Sequence, residues 1–366
     1  MKTLIVNGKV FTPSGIREGA AVLLEKGKIK AIEGGKTEPG LFSPEAKEKK
    51  SRSGAKVFDA KGAYVLPGFF DTHQHGGANF YSGKGIYNRK KNEFSSDEKT
   101  FRKGLFNSGV MHAKHGTTSS IISIASSPDE SLARFMRVCG KAVKEGFTGG
   151  SKLLGLDMEG TYIKDSAYGG AQDPKYFKKP EIGYYEKLKK LSGDTIKRVL
   201  IAPEWGEPAL KLIKHVTKTG AVAGVGHAGC SYGEFMKAYE AGVKVLVHFG
   251  NGPMSQNFKG GGIIDAAFAL RDKITAEIII DNCHVNPRWT VAFLKNFNFN
   301  IIGVTDALFF AGAPGKACEF KFGGFNVVIR DGAAWLKEKK NTLCGSCITM
   351  DTAFENFLNI IAKNEW

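Results

Sequence analysis

Residues 64–75 read YVLPGFFDTHQH, a short apolar run that ends in two histidines one residue apart. Seven further runs of this kind follow: TTSSIISIAS (117–126), SKLLGLDMEG (151–160), IKRVLIAPEW (196–205), AVAGVGHAG (221–229), VKVLVHF (243–249), ITAEIIIDNCH (274–284) and NIIGVTDAL (300–308). They are rich in β-branched and apolar residues and are not split by polar alternation, which is the pattern of strands buried on both faces. Amphipathic stretches lie between most of them, such as DESLARFMRVCGKAVKEG (129–146) and YGEFMKAYEAG (232–242), each closing on a glycine, a normal helix stop. Eight strand–helix repeats predict an α/β chain whose main body is a closed (β/α)8 barrel. A doubly wound sheet is disfavoured, because no G-x-G-x-x-G follows the first strand and there is no P-loop.

The two ends of the chain read differently. TLIVNGKVFT (3–12) alternates, and AAVLLEKGKIKAIEGG (20–35) reads as a hairpin turning at Lys26-Gly27. Residues 36–57 are polar and charged and read as a long loop. Strand character returns in GGFNVVIRDGAAW (323–335), and ITMDTAFENFLNIIAKN (348–364) reads as a helix. The expected organisation is a small, sandwich-like β domain from residues 1–62 and 315–345. The barrel spans 63–314, and a helix at 346–366 packs back on it.

Composition narrows the function classes. With 366 residues, 42% hydrophobic and 11% aromatic, the chain has ample material for a large core. No window approaches the ~18 uncharged apolar residues that span a bilayer, and MKTLIVNGKVFTPSG lacks the apolar stretch of a signal peptide. A cytoplasmic protein with no membrane partner is expected. The formal charge of +16 attracts anions. No nucleic-acid recognition motif accompanies it, so a phosphorylated small substrate is the expected partner rather than nucleic acid. The six cysteines are expected to be reduced thiols. Cys344-x-x-Cys347 has no second pair with which to hold a structural zinc.

The chemistry gathers at strand ends. His73, His75, His227, His248 and His284 sit at or just past the C-terminal ends of predicted strands, as do Glu159 and Asp306. In a barrel all such ends open on one face, where active sites form. Each histidine alone could be a core residue, and a carboxylate there is costly to bury unless it is paired or bound to metal. Together they make the set of ligands that an open catalytic divalent-metal site needs, with Asp306 available as general base. His112, within a helical stretch, and His115, at the entry to the second strand, read as structural.

These residues, with their surroundings, resemble the amidohydrolase superfamily, and within it the N-acetylglucosamine-6-phosphate deacetylases. VLPGFFDTHQHGG, HGTTSSIIS, LDMEG, IAPE, GHAG, AEIIIDNCHV, VTDA and LCGSCITMD occur in the order of the deacetylase motifs. The resemblance implies that Glu159, His227 and His248 hold a divalent metal, with zinc first and iron or manganese as alternatives. It implies that His73 and His75 serve a second ion where two are used, and that Asp306 is the catalytic acid/base. His284, Ala171, Gln172, Asn251, Gly252, Leu343, Cys344 and Gly345 then match positions near the substrate. The implied reaction releases acetate from an N-acetylhexosamine 6-phosphate.

Departures from the family pattern concentrate in HFGNGPMSQNFKGGG (248–262). The family usually reads H-x-x-N-A-M, then His-Arg and E-P-G. Here Gly252 replaces alanine, G-G-G replaces E-P-G, and Lys259 falls where the family's arginine reaches the substrate phosphate of a neighbouring subunit, an arrangement that implies a homodimer. Lysine keeps the charge but loses the bidentate fork. Backbone N–H groups at the glycines can still approach a phosphate. EGTY also stands where E-G-P-[FW] is usual. The alternatives are N-acetylgalactosamine-6-phosphate, an unphosphorylated N-acetyl sugar or another N-acyl compound as substrate, and, outside enzymes, an anion- or nucleic-acid-binding protein.

Overall fold

The N-terminal strands are β1 (Lys2–Thr12), β2 (Gly15–Glu25), β3 (Lys28–Glu33), β4 (Lys56–Asp59) and β5 (Tyr64–Val65). They form one sheet in the order β3-β2-β1-β4, with β5 also on β1. Residues alternate along β1, burying Leu4, Val6 and Val10. The β2–β3 hairpin turns at Lys26 and Gly27, at φ 50° and 73°, a pair of left-handed residues that matches strand twist. The computed structural model describes residues 2–34, 55–146, 150–251, 259–297, 300–312, 319–322, 325–338 and 342–363. It divides into two units, Met1–Gly68 and Phe69–Trp366.

The second unit opens with β6 (Phe69–Gln74) and a four-stranded excursion, β7 (Gly76–Gly77), β8 (Phe80–Tyr81), β9 (Gly85–Asn88) and β10 (Glu93–Ser95). Then come β11 (Thr117–Ile124), β12 (Lys152–Tyr162), β13 (Ile196–Ile201), β14 (Val222–Val225), β15 (Val243–Leu246), β16 (Thr275–Ile279) and β17 (Ile301–Val304). With β6 these are the eight strands expected, all parallel, in ladder order β17 through β11 to β6. The ring closes between its first and last strands. Asp306 N donates to His73 O (2.9 Å), His75 N donates to Ala307 O (2.9 Å), and Thr305 Oγ1 donates to Asp71 Oδ2 (2.6 Å).

Helices cover the barrel by the logic read from their sequences. Asp129–Glu145 buries Leu132, Phe135, Met136 and Cys139 on one face and ends at Gly146, φ 71°. Tyr232–Ala241 starts on a capping box of Ser231 and Glu234 and ends at Gly242, φ 126°. Their apolar faces meet Leu156, Met158, Val199, Val225, Leu246 and Ile278 of the strands in one continuous core.

The C-terminal strands are β18 (Glu319–Phe322), β19 (Phe325–Arg330), β20 (Ala333–Leu336) and β21 (Leu343–Ser346), an antiparallel sheet of their own. The sequence reading joined 1–62 with 315–345. Here the two stretches form separate sheets, and the second lies in the unit that contains the barrel. The cause is aromatic packing. Phe320, Val327 and Leu336 bury against Tyr81 and Tyr87 of the excursion and Leu308, Phe309 and Phe310 beyond β17. The closing helix, Met350–Ala362, adds Ala353 and Ile360 to the main core.

Candidate metal centre and active site

Strand alternation turns every second side chain inward. It points Asp71 and His73 of β6, and Asp157 and Glu159 of β12, into the barrel, where all four are buried. His227, His248 and Asp306 stand just past β14, β15 and β17, at φ 50°, 38° and 50°. Left-handed backbone is uncommon for residues with a Cβ. Here it turns three side chains from three strands toward one point.

The two histidines meet at Glu159. Its Oε1 lies 2.9 Å from His227 Nε2, 3.1 Å from His248 Nε2 and 3.8 Å from His73 Nε2, and its Oε2 lies 3.1 Å from His75 Nε2. Asp306 Oδ1 stands 3.4 Å from His73 Nε2 and 3.3 Å from His75 Nε2. Two triads have ligand atoms that all lie within 4.8 Å of one another, His73–Glu159–His248 and His73–His75–Asp306. Among the described residues, His73 Nε2 and Glu159 Oε2 are buried and make no well-formed hydrogen bond, a state that is costly without a ligand. Imidazole and carboxylate donors in an open, buried cluster fit a divalent transition metal.

The electrostatics agree. Burial alone would lower the pKa values of His73 and His75. Asp157, Asp306 and Glu159 outweigh burial at His73 and hold it well above the ordinary value, and Glu159 and Asp306 hold His75 at about 9. Burial would raise both acids, yet the surrounding histidines hold Glu159 and Asp306 well below the usual carboxylate range. The pull of the acids on protons is the same pull they would exert on a cation.

Partners behind the cluster orient it. His227 Nδ1 lies 3.0 Å from Tyr168 O. His284 Nδ1 lies 2.6 Å from Asp281 Oδ2, and its Nε2 has no partner among the described residues. Ser346 N donates to Asp306 O (3.0 Å) and Leu308 N to Ser346 O (2.9 Å), so β21 pins the segment that carries Asp306. Sequence reasoning missed Asp157, Arg198, Glu277 and Asp281. Charged residues inside the apolar runs LLGLDM, IKRVLI and TAEIII were the available signal.

Above the cluster opens a cavity of about 820 Å³. His75, Glu159, His227, His248 and Asp306 line it, together with Ala171, Gln172, Asn251, His284, Leu343, Cys344 and Gly345. His73 lies beneath, fully buried. Gln172 Oε1 accepts from Ser126 N (2.7 Å), which holds its side chain at the cavity wall. Lys259 is exposed and is not among the described residues that line the cavity. Gly252 lies outside the described residues. Sequence reasoning also did not single out Tyr81, Lys84, Lys175 and Trp335, which also line the cavity. His112 lies in its helix, its Nε2 2.9 Å from Gly76 O, and His115 caps that helix, away from the cluster.

Fold and site together define a (β/α)8 barrel with a histidine–carboxylate centre at its C-terminal rim. The chain belongs to the Amidohydrolase family, whose sequence pattern matches residues 64–302. It is 27% identical over 362 residues to the N-acetylglucosamine-6-phosphate deacetylase of Lysinibacillus sphaericus, covering 98% of this chain and 84% of the relative. It is likewise 27% identical over 299 residues to the N-acetylgalactosamine-6-phosphate deacetylase of Escherichia coli O157:H7, covering 81% and 72%. The crystal structure of N-acetylglucosamine-6-phosphate deacetylase from Pasteurella multocida superposes with a TM-score of 0.80 at 23% identity, covering 98% of this chain and 84% of that one.

Proposed function

We propose that this chain is a metal-dependent hydrolase that deacetylates an N-acetylhexosamine 6-phosphate, N-acetylglucosamine 6-phosphate first, in amino-sugar catabolism. The observation that carries the reading is the convergence of His227, His248 and His75 on the two oxygens of Glu159, with Asp306 facing the same point. In this reading Glu159, His227 and His248 hold one ion, zinc first, while His73, His75 and Asp306 offer a second position. An ion bound there supplies a Lewis acid that polarises a carbonyl and acidifies water.

The chain's own residues do the rest. Asp306 is held in its base form by the two imidazoles beside it. It takes a proton from the water that attacks the acetamide carbon. When the C–N bond breaks, it returns that proton to the departing amine, leaving acetate and the hexosamine phosphate. His284 Nε2 and the Gln172 amide present polar atoms to the sugar and its acetamide, and Asn251, Ala171 and the Leu343–Gly345 strand shape the cavity. Gly252 and Lys259 contact the phosphate. The exposure of Lys259 fits a side chain that reaches a second subunit of a cytoplasmic homodimer.

The galacto epimer is the second reading, because the Escherichia coli relative of that name is equally similar in identity. An acetate-release screen with zinc-loaded protein tests both, using the two 6-phosphates and the unphosphorylated sugars. Acetate from neither 6-phosphate would overturn the deacetylase reading. Equal or better kcat/KM on unphosphorylated sugars would overturn the phosphate requirement. Lys259→Ala is expected to raise KM about tenfold on phosphorylated substrates only, and an equal effect on both kinds of sugar excludes the phosphate contact.

A further inference from the structure

Beneath the rim, Arg198 of β13 crosses the barrel interior. Its Nη1 donates to Glu277 Oε1 of β16 (2.6 Å). Its Nη2 donates to Asp157 Oδ2 of β12 (2.7 Å) and Thr72 O of β6 (3.0 Å), and lies 2.8 Å from His73 Nδ1. Ser123 Oγ of β11 donates to the same Asp157 oxygen (2.8 Å). Five of the eight strands meet in this knot. It surrounds one imidazole nitrogen, since Asp157 Oδ2 and Ser123 Oγ stand 3.2 Å and 3.1 Å from His73 Nδ1.

A purely structural account fits the knot poorly. Buried ion clusters are weak contributors to stability, and well-packed apolar side chains often serve as well or better. This one leaves Arg198 Nε, Asp157 Oδ1 and Glu277 Oε2 buried without a hydrogen-bond partner among the described residues, a further cost. What it does achieve is geometric. Rotating the His73 ring would carry Nδ1 away from all three neighbours, so Nε2 stays aimed at Glu159 and Asp306. One guanidinium between two carboxylates also leaves a negative excess under the centre, which favours a cation above it. The same residue, Glu277, accepts at its backbone oxygen from Phe249 N (2.6 Å), next to His248.

We propose that Arg198 is a positioning residue for the metal centre: anchored on Glu277, it fixes Asp157 and through it the His73 ring, so that His73 presents Nε2 as a ligand. The proposal rests on the metal-centre reading above. Zinc affinity, measured by competition with a chromophoric chelator, tests it alongside urea unfolding. Arg198→Met is expected to weaken zinc binding at the position His73 serves 10–100-fold, the usual cost of losing a ligand's support. Arg198→Lys should recover part of the loss. In a His73→Asn background, Arg198→Met should change affinity less than threefold, because the residue it positions is gone. Ser123→Ala removes one contact to Nδ1 without leaving a bare buried charge. It is expected to give a smaller loss in the same direction, which keeps the test open should Arg198→Met fail to fold. Lower stability with zinc affinity within threefold of wild type, or an equal loss in both backgrounds, overturns the role. Wild-type protein that binds no zinc overturns the metal-centre reading itself.

Discussion

Replacing Asp306 by Asn isolates its chemistry from its structural setting. The two side chains have the same shape, and the backbone at φ 50° suits asparagine as well as aspartate. The bonds that seat the residue, Asp306 N to His73 O (2.9 Å) and Ser346 N to Asp306 O (3.0 Å), are main-chain and survive. What disappears is a carboxylate that His73 and His75, at 3.4 Å and 3.3 Å, keep ionised. An amide cannot take a proton from water near neutral pH. The loss of general base and acid together is expected to lower kcat by 10²–10⁴, about 3–5 kcal/mol of barrier. At least one zinc per chain should remain, because Glu159, His227 and His248 are untouched. The assay is acetate release at saturating N-acetylglucosamine 6-phosphate, with metal counted on the same samples. A kcat within threefold of wild type would refute the acid/base role, and loss of zinc alongside activity would make Asp306 a ligand first.

Other substitutions test the surroundings. His112 is buried and neutral, with Nε2 2.9 Å from Gly76 O, and burial lowers its pKa to about 4 from an unfolded-chain value near 6.5. The unfolded chain therefore takes up the proton first. The contribution of His112 is complete above about pH 6.5 and is lost as pH falls toward 4, by about 3 kcal/mol in all. The urea midpoint of His112→Gln should accordingly fall less than that of wild type between pH 7 and 5, and parallel curves would rule this out. A Cβ at Gly160 would lie 1.9 Å from Gln172 Oε1 and 2.0 Å from Ser126 N, the two ends of one hydrogen bond. Gly160→Ala is expected to cost about 1–3 kcal/mol in stability and to raise KM by dislodging Gln172. An unchanged KM would remove Gln172 from the substrate's contacts.

The barrel was legible in the sequence because its strands are buried on both faces and its helices are amphipathic, so both periods are written in apolar residues. The rim was legible for a related reason. A histidine or carboxylate at the end of an apolar run is costly to bury for packing alone, and Glu159, His227, His248 and Asp306 each stand in that position. The four strands at 76–95 left no such mark, being two to four residues long. Their placement depends on Tyr81 and Tyr87 packing against Phe309 and Phe320, partners more than 200 positions away. The same long-range packing draws residues 319–346 to the barrel unit, where local pattern suggested a partnership with the N-terminal strands. The Arg198 knot was hidden differently. One arginine inside a strand resembles a solvent-facing residue until its neighbours from four other strands are in view.

The left-handed backbone at His227, His248 and Asp306 restricts which residues these positions can accept, whatever the chemistry requires. Among side chains with a Cβ, Asn, Asp and His are the ones enriched in that region. Alanine scanning at the three positions would therefore mix two losses, the ligand or base and the conformational ease of the turn. Asparagine is the cleaner control, since it withdraws the function and keeps the turn. Attempts to retarget the centre by placing cysteine or glutamate at 227 or 248 would meet a backbone penalty before any ion is offered. The bend at the strand ends biases the amino-acid alphabet, and it favours the two residue types found there, histidine and aspartate.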